Sequence, residues 1–337
     1  PYGINISASQ SQGVSNSGLY LGENTFTGTN NAISLSYVES PQVIGNTISA
    51  YRYLGIYAGQ GTTSLSVQAN QISGNGLSGI SLYYLGTGNH ELVNNFVNTG
   101  ASASTSINIE NSPNVKLYHN TIVNSSASAN AAAFYQSASS AGLAFVNNIA
   151  VAANGYAAWF NQLADFESGK WTHNLYHSSG ANKIKLGSSI INTSLAWNAA
   201  TGDQYSIVAN PLLTSGSYEL SAGSPARNAG LYLPAIMLDI LGQQRDNPPD
   251  IGCYESQITT LAAPQNLQMH INAAQDTITL SWDIVPGAGV YYVQSADDPY
   301  AESWQNVPGA STGQLSISFP LPAEHHRFYR VKAIGAE

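Results

Sequence analysis

VQANQISGNGLSGISLYYLGTGNHELVNNF, residues 67–96, holds two copies of one short motif. In each, a lead residue precedes an asparagine (Asn70, Asn95), and a β-branched or aromatic residue follows within two positions. Between them lies GISLYY (79–84), whose apolar residues alternate with period two. Working outward, the motif recurs as GENTF at Asn24, IGNTI at Asn46, YHNTI at Asn120, VNNIA at Asn148 and THNLY at Asn174. The steps between the seven asparagines are 22, 24, 25, 25, 28 and 26 residues. The second apolar strand recurs too, as AISLSY (32–37), GIYAG (55–59), SINIEN (106–111), AAAFYQ (131–136) and YAAWFN (156–161). Period-two alternation and abundant Gly and Asn exclude a helical solenoid. The remaining reading is a coil of short strands, in which one turn cannot bury its own apolar face but stacked turns bury a continuous core. Turns stack about 4.8 Å apart, so residues at one phase form a column. Asparagine suits such a column because its amide bonds to the copies above and below. It also tolerates left-handed backbone angles at a tight bend. Stacked Asp carboxylates would repel. The extra residues of the longer steps collect in Ser/Thr/Ala/Asn-rich loops near 98–104 and 124–130.

Composition fits an uncharged β-rich scaffold. Only 9% of the 337 residues are charged, against roughly 25% in an average soluble protein. The first 160 residues carry six charges: Glu23, Glu39, Arg52, Glu91, Glu110 and Lys116. A hydrophobic content of 43% at regular spacing argues against a disordered tract. The net charge of −9 without any basic run argues against nucleic acid as a partner. No apolar run approaches the roughly 20 residues of a membrane-spanning helix. Cys253 is the one cysteine, so no intrachain disulfide can form, and it is expected as a buried small apolar residue. The chain opens at Pro1 in mid-repeat, which fits the loss of an export signal and of N-terminal coils, with any catalytic residue they held.

Over residues 3–180 these repeats resemble the right-handed parallel β-helix proteins of the pectate-lyase-like superfamily. A second resemblance lies in NPLLTSGSYELSAGSPARNAG (210–230) and DILGQQRDNPPDIGCYE (239–255). It is similar to the closing segment of many secreted β-helix proteins, with D-P-L, S-P-A-x-x-x-G and D-I-G-x-x-E signatures; Asn210 stands where Asp is usual. The resemblance implies that this segment completes the last coils and that the protein is extracellular or at the cell surface. Arg227, Asp239, Arg245, Asp246, Asp250 and Glu255 are then expected to form mainly structural ion pairs that end the solenoid. From Leu261 the texture changes to short alternating strands with Trp282, Tyr291 and Tyr292, and FYRVKA (328–333) as a late strand. This resembles a fibronectin-III-like module, and at about 77 residues it is short enough to lack an edge strand. The expected architecture is all-β: a right-handed parallel β-helix solenoid with its closing segment over 1–258, then a β-sandwich over 259–337.

Function must be argued from residues, because the β-helix family spans lyases, epimerases, glycoside hydrolases and non-catalytic adhesins. A hydrolase needs two carboxylates on one face. Here Glu23, Glu39, Glu91 and Glu110 fall at different phases, and Asp165 and Glu167 sit together only in a presumed loop. A uronate lyase needs a base and a group to neutralise the carboxylate. Glu91 and Lys116 lie at the same phase, four before Asn95 and Asn120, with His119 beside Asn120. In the catalytic reading Lys116 or His119 is the base and Glu91 tunes it; the plainer reading is a surface ion pair. No cofactor motif is present and the coils lack the clustered acids of a calcium site, so neither cofactor nor metal is expected. The most ligand-like feature is aromatic. Tyr51, Tyr53, Tyr57, Tyr83 and Tyr84, with Tyr37, Tyr135 and Trp159, crowd near the second strand set. They would form a platform for sugar rings with Arg52 bonding hydroxyls; the alternative is core packing. The balance favours polysaccharide binding or a structural role over catalysis. A lyase or hydrolase, and a surface-appendage or phage assembly component with a protein partner at an exposed solenoid end, are the alternatives.

Overall fold

Each repeat folds into three short strands, and successive repeats stack them in register. In the central repeat these are Ser78–Tyr83, His90–Val93 and Phe96–Thr99; the faces they build are here named A, B and C. The computed structural model describes residues 3–7, 16–161, 169–256, 261–321 apart from 273, 275 and 302, and 327–335. Within these residues the chain divides into two compact units, Pro1–Glu255 and Ser256–Glu337. Face A holds nine strands, face B seven and face C eight among the described residues. Neighbouring turns pair in parallel, as Ile56↔Ile80↔Ile107, Val67↔Leu92↔Leu117 and Ile72↔Val97↔Ile122 illustrate. Those inward columns are fully buried and form one continuous core. Complete burial of one such side chain stabilises by about 1.5–3 kcal/mol, so the core must be built by stacking many turns.

The asparagine ladder forms as expected. The Oδ1 of Asn120 accepts from the backbone N–H of Asn95 at 2.9 Å and from its Nδ2 at 3.0 Å. Asn120 then donates its own N–H and Nδ2 to Asn148 Oδ1, at 3.0 and 2.9 Å. The pattern runs unbroken from Asn24 to Asn174, whose N–H ends on Ser206 Oγ. One detail differs from the expectation that asparagine itself takes the left-handed bend. The left-handed residue is the one before it: Glu23, Gly45, Ala69, Asn94, His119, Asn147 and His173 all have φ between 52° and 67°. That bend joins face B to face C in two residues, and it frees the ladder amide to point along the stack. A second left-handed column, Tyr37, Gln60, Tyr84 and Asn111, follows the face A strands.

The closing segment does not complete the last coils. The coils end instead on the antiparallel hairpin Ile184–Leu186/Ser189–Ile191 of face A and, after the helix Ser194–Thr201, N-capped by Thr193, on the short strand Ile207–Val208, which pairs in parallel with Leu175–Tyr176 on face C. Trp197 of that helix is fully buried against Tyr176 and Phe160, which closes the aromatic end of the core. Residues 209–255 then run back as a strap along the outside of face C. Leu220, Ala226 and Ile251 pack on Ile149 and Leu175, and Cys253 packs on Phe96 and Val123. The outward column of face C records where the strap lies: Thr25, Thr47 and Gln71 are exposed, while Phe96, Thr121, Ile149 and Leu175 are buried. Arg245 is the strap's pin. It makes a buried 2.9 Å ion pair with Glu255 and donates to Asn94 Oδ1 at 2.8 Å, so the ionic residues hold the strap to the flank of the coil. Cys253 is buried as expected, and burial pushes its thiol up to about 12.

The second unit is a β-sandwich of two antiparallel three-stranded sheets. One orders Gln268–Asn272, Thr277–Ser281, Ser316–Pro320; the other orders Gln305–Thr312, Ala288–Ala296, Phe328–Gly335. Its core includes Ile278, Leu280, Trp282, Tyr291, Val293, Phe319 and Val331.

Candidate functional site

Strand alternation dictates what face A shows to solvent. Every second residue points out, so the parallel register stacks Tyr57, Ser81, Asn108, Tyr135, Trp159 and Lys185 in one column. Beside it run Tyr83 and Glu110. Tyr135 and Trp159 meet at a tilt of 43° with ring centroids 4.8 Å apart, and Lys185 Nζ lies 3.7 Å from the centre of the Trp159 ring. Glu110 accepts a hydrogen bond from Ser137 Oγ at 3.2 Å. Of these groups Ser81, Asn108, Glu110, Tyr135, Ser137 and Trp159 line a groove of about 330 Å³, together with Ser78, Ser104, Thr105 and Asn130. Two groove atoms, Asn108 Oδ1 and Trp159 Nε1, are shielded yet have no hydrogen-bond partner. One accepts and the other donates, and leaving such groups unmade is costly. Among the described residues lining the groove, Glu110 is the one carboxylate. Burial, then the Glu110 charge, raises the Tyr135 hydroxyl above its ordinary pKa. Tyr83 is raised by desolvation, then by Tyr84 and Glu110.

A second hollow, about 410 Å³, is lined by Tyr37, Gln60, Gly61, Tyr83 and Tyr84. The left-handed backbone at Tyr37, Gln60 and Tyr84 turns the chain out of face A here and lays the rings over the corner. Tyr83 and Tyr84 meet edge to face at 4.5 Å. The Tyr57 hydroxyl is raised by burial and by its neighbours Tyr83 and Tyr37, so these rings form one cluster.

The other residues singled out from sequence are dispersed. Tyr51 is 2% exposed and belongs to the core, its ring lying against the backbone of Gly74 and Gly76 where any Cβ would collide. Arg52 and Tyr53 are exposed in the preceding turn, with the guanidinium 5.4 Å from the Tyr53 ring centre. Glu91 and Lys116 are paired in register on face B, 3.7 Å apart and partly exposed. His119 is at the left-handed corner under the strap, with no exposed surface, its Nε2 2.8 Å from Asn147 Nδ2. Burial, then the Arg245 charge, holds its imidazole well below the ordinary histidine range. None of Glu91, Lys116 and His119 lines either groove. Asp165 and Glu167 lie outside the described residues. Sequence reasoning passed over Asn108 and Lys185. Their signal was the phase of face A, at which every second position after a buried Ile, Phe or Ala points outward.

The family description "Right handed beta helix region" matches residues 2–150. No curated protein and no solved structure matches the chain. The strands of face A continue in the same parallel register to Leu186, beyond the matched span, so the chain carries a right-handed parallel β-helix that extends past it.

Proposed function

We propose that face A of the β-helix binds polysaccharide, at the cell surface or outside the cell. The observation that carries this reading is the orphaned pair Asn108 Oδ1 and Trp159 Nε1 in a groove floored by Tyr135 and Trp159. Sugar rings offer an apolar face for aromatic stacking and hydroxyls that both donate and accept, which answers both needs at once. Tyr57, Tyr83 and Tyr84 extend the aromatic surface towards earlier turns. Over the four steps from Tyr57 to Trp159 the strip spans about 19 Å at about 4.8 Å per turn, long enough for an oligosaccharide rather than one sugar. Binding is favoured over hydrolysis because a single groove carboxylate cannot supply both an acid and a base or nucleophile. A lyase assembled from Lys116, His119 and Glu91 has less support, since His119 is buried under the strap. The sandwich is read as a fibronectin-III-like accessory module, a reading supported by its sheet order and its buried Trp282–Tyr291 pair.

Affinity electrophoresis through pectic, alginate, glycosaminoglycan and neutral polysaccharides tests the proposal, with unsaturated-product absorbance and reducing ends read in parallel. Retardation by at least one glycan, weakened about tenfold by Trp159→Ala, is expected, at about 1.4 kcal/mol for one lost stacking contact. Retardation untouched by Trp159→Ala and Asn108→Ala would remove the groove from the reading. Product formation abolished by Lys116→Ala or His119→Ala would establish a lyase instead, and silence with every glycan would favour an assembly role.

A further inference from the structure

Charge is spread unevenly over face A. The groove and the adjoining tyrosine hollow are lined by uncharged groups, with Glu110 as the single exception among their described lining residues. No cation of the described residues pairs with Glu110, and its Oε2 accepts from Ser137 Oγ. The field of this carboxylate reaches both hollows. Desolvation and then Glu110 raise the Tyr135 hydroxyl in the groove; desolvation, Tyr84 and then Glu110 raise that of Tyr83 in the hollow. What resists a tyrosinate there resists any other anion. No lysine or arginine lines either space. Arg52 lies over the Tyr53 ring, and Lys116 is paired with Glu91 on face B. Lys185 is three strands from Glu110, about 14 Å at about 4.8 Å per strand, where salt screens most of its charge.

We infer that the polysaccharide held on face A is uncharged, and that Glu110 is the residue that selects against acidic chains. This rests on the reading of face A as a glycan-binding surface. A carboxylate accepts a hydroxyl about twice as strongly as a neutral acceptor does, so Glu110 attracts a neutral sugar ring while it repels a uronate. The orphaned Asn108 Oδ1 needs a donor and Trp159 Nε1 an acceptor. Sugar hydroxyls supply both, whereas an ionised carboxylate supplies only the second. The net charge of −9 adds a long-range repulsion of polyanions.

Calorimetric titration of the full chain with matched pairs of soluble polymers tests this. Each uronate polymer is paired with its carboxyl-reduced form, and each neutral hexose polymer with its C6-oxidised form, so linkage stays constant while charge changes. In a pair that binds, the neutral member is expected to bind about tenfold more tightly, the effect of like charges about 7 Å apart at a partly exposed site. Added salt should narrow that ratio. Glu110→Gln, which keeps the shape and removes the charge, should bring it to within about twofold of equality. Equal or tighter binding of the acidic member would overturn the inference; if Trp159→Ala abolishes that binding, the glycan reading of face A still stands. A ratio unmoved by both salt and Glu110→Gln would equally overturn it, because selection would then not be electrostatic. No binding by either member of any pair would overturn this inference and the glycan reading together.

Discussion

The asparagine ladder makes a quantitative prediction, because its rungs differ in what they hold. Asn120 is fully buried in the middle of the stack. Its Oδ1 satisfies the Asn95 N–H and Nδ2, and its Nδ2 satisfies the Leu92 carbonyl at 2.8 Å and Asn148 Oδ1 at 2.9 Å. Asn120→Ala leaves the Asn95 N–H and one Asn95 amide hydrogen without partners and takes one donor from the Leu92 carbonyl, in a place that bulk water does not reach. Each such group costs about 1–3 kcal/mol, and partial relaxation puts the sum near 4 kcal/mol. Asn24 is the same residue type at the same phase, but it is exposed, and its side chain donates to Gly22 O and Asn46 Oδ1. Asn24→Ala should cost no more than about 1 kcal/mol, since water takes over what is freed. Urea unfolding followed by tryptophan fluorescence, with both variants at equal protein concentration, measures the difference. Equal losses, or a loss below about 1 kcal/mol for Asn120→Ala, would refute the idea that reciprocal amide bonding, rather than turn propensity, holds this corner.

Three further outcomes follow from particular residues. Trp159→Ala should lower glycan retardation while leaving the urea midpoint within error, because the ring is half-exposed and outside the core; a large fall in the midpoint would mean the platform is structural. His119 is held neutral in the fold by burial and the Arg245 charge, so its contribution to stability is present above about pH 6.5 and is lost as pH falls towards its depressed folded value. Wild type should therefore lose more stability than His119→Gln between pH 7 and 5, and parallel curves would show that the strap tolerates the charged imidazole. Ala69 carries a Cβ at φ 52°; relief of that strain outweighs the gain in unfolded-chain entropy, so Ala69→Gly should raise stability by about 0.5–1 kcal/mol, read from the urea midpoint, and an unchanged or lower midpoint would refute this.

Much of the coil was decided locally. The spacing of Asn24 to Asn174 and the alternation in segments such as GISLYY require stacked short strands, because only stacking buries the apolar residues and satisfies the asparagine amides together. The buried state of Cys253 and the end of the repeats near residue 180 were legible for the same reason: residue type and phase carry them. Three matters depended on contacts between distant parts of the chain. The strap could not be placed from its motif, since Arg245 reaches Asn94 across 151 positions and Cys253 reaches Thr121 across 132. Its trace in the sequence, the change from Thr25, Thr47 and Gln71 to Phe96 and Ile149, has meaning only once those positions are known to share a column. Tyr51 and Tyr57 look alike as tyrosines in one aromatic cluster, and the turn before the strand buries one while strand alternation turns the other outward. The groove was hidden for the same reason: Asn108, Tyr135 and Trp159 are separated by about a turn each, and loops of unequal length blur their phase until the parallel register brings them side by side. Sequence thus fixes which residues can be buried along each strand, because that is a matter of period; tertiary structure decides which outward residues meet, because that depends on register and on what folds back over them.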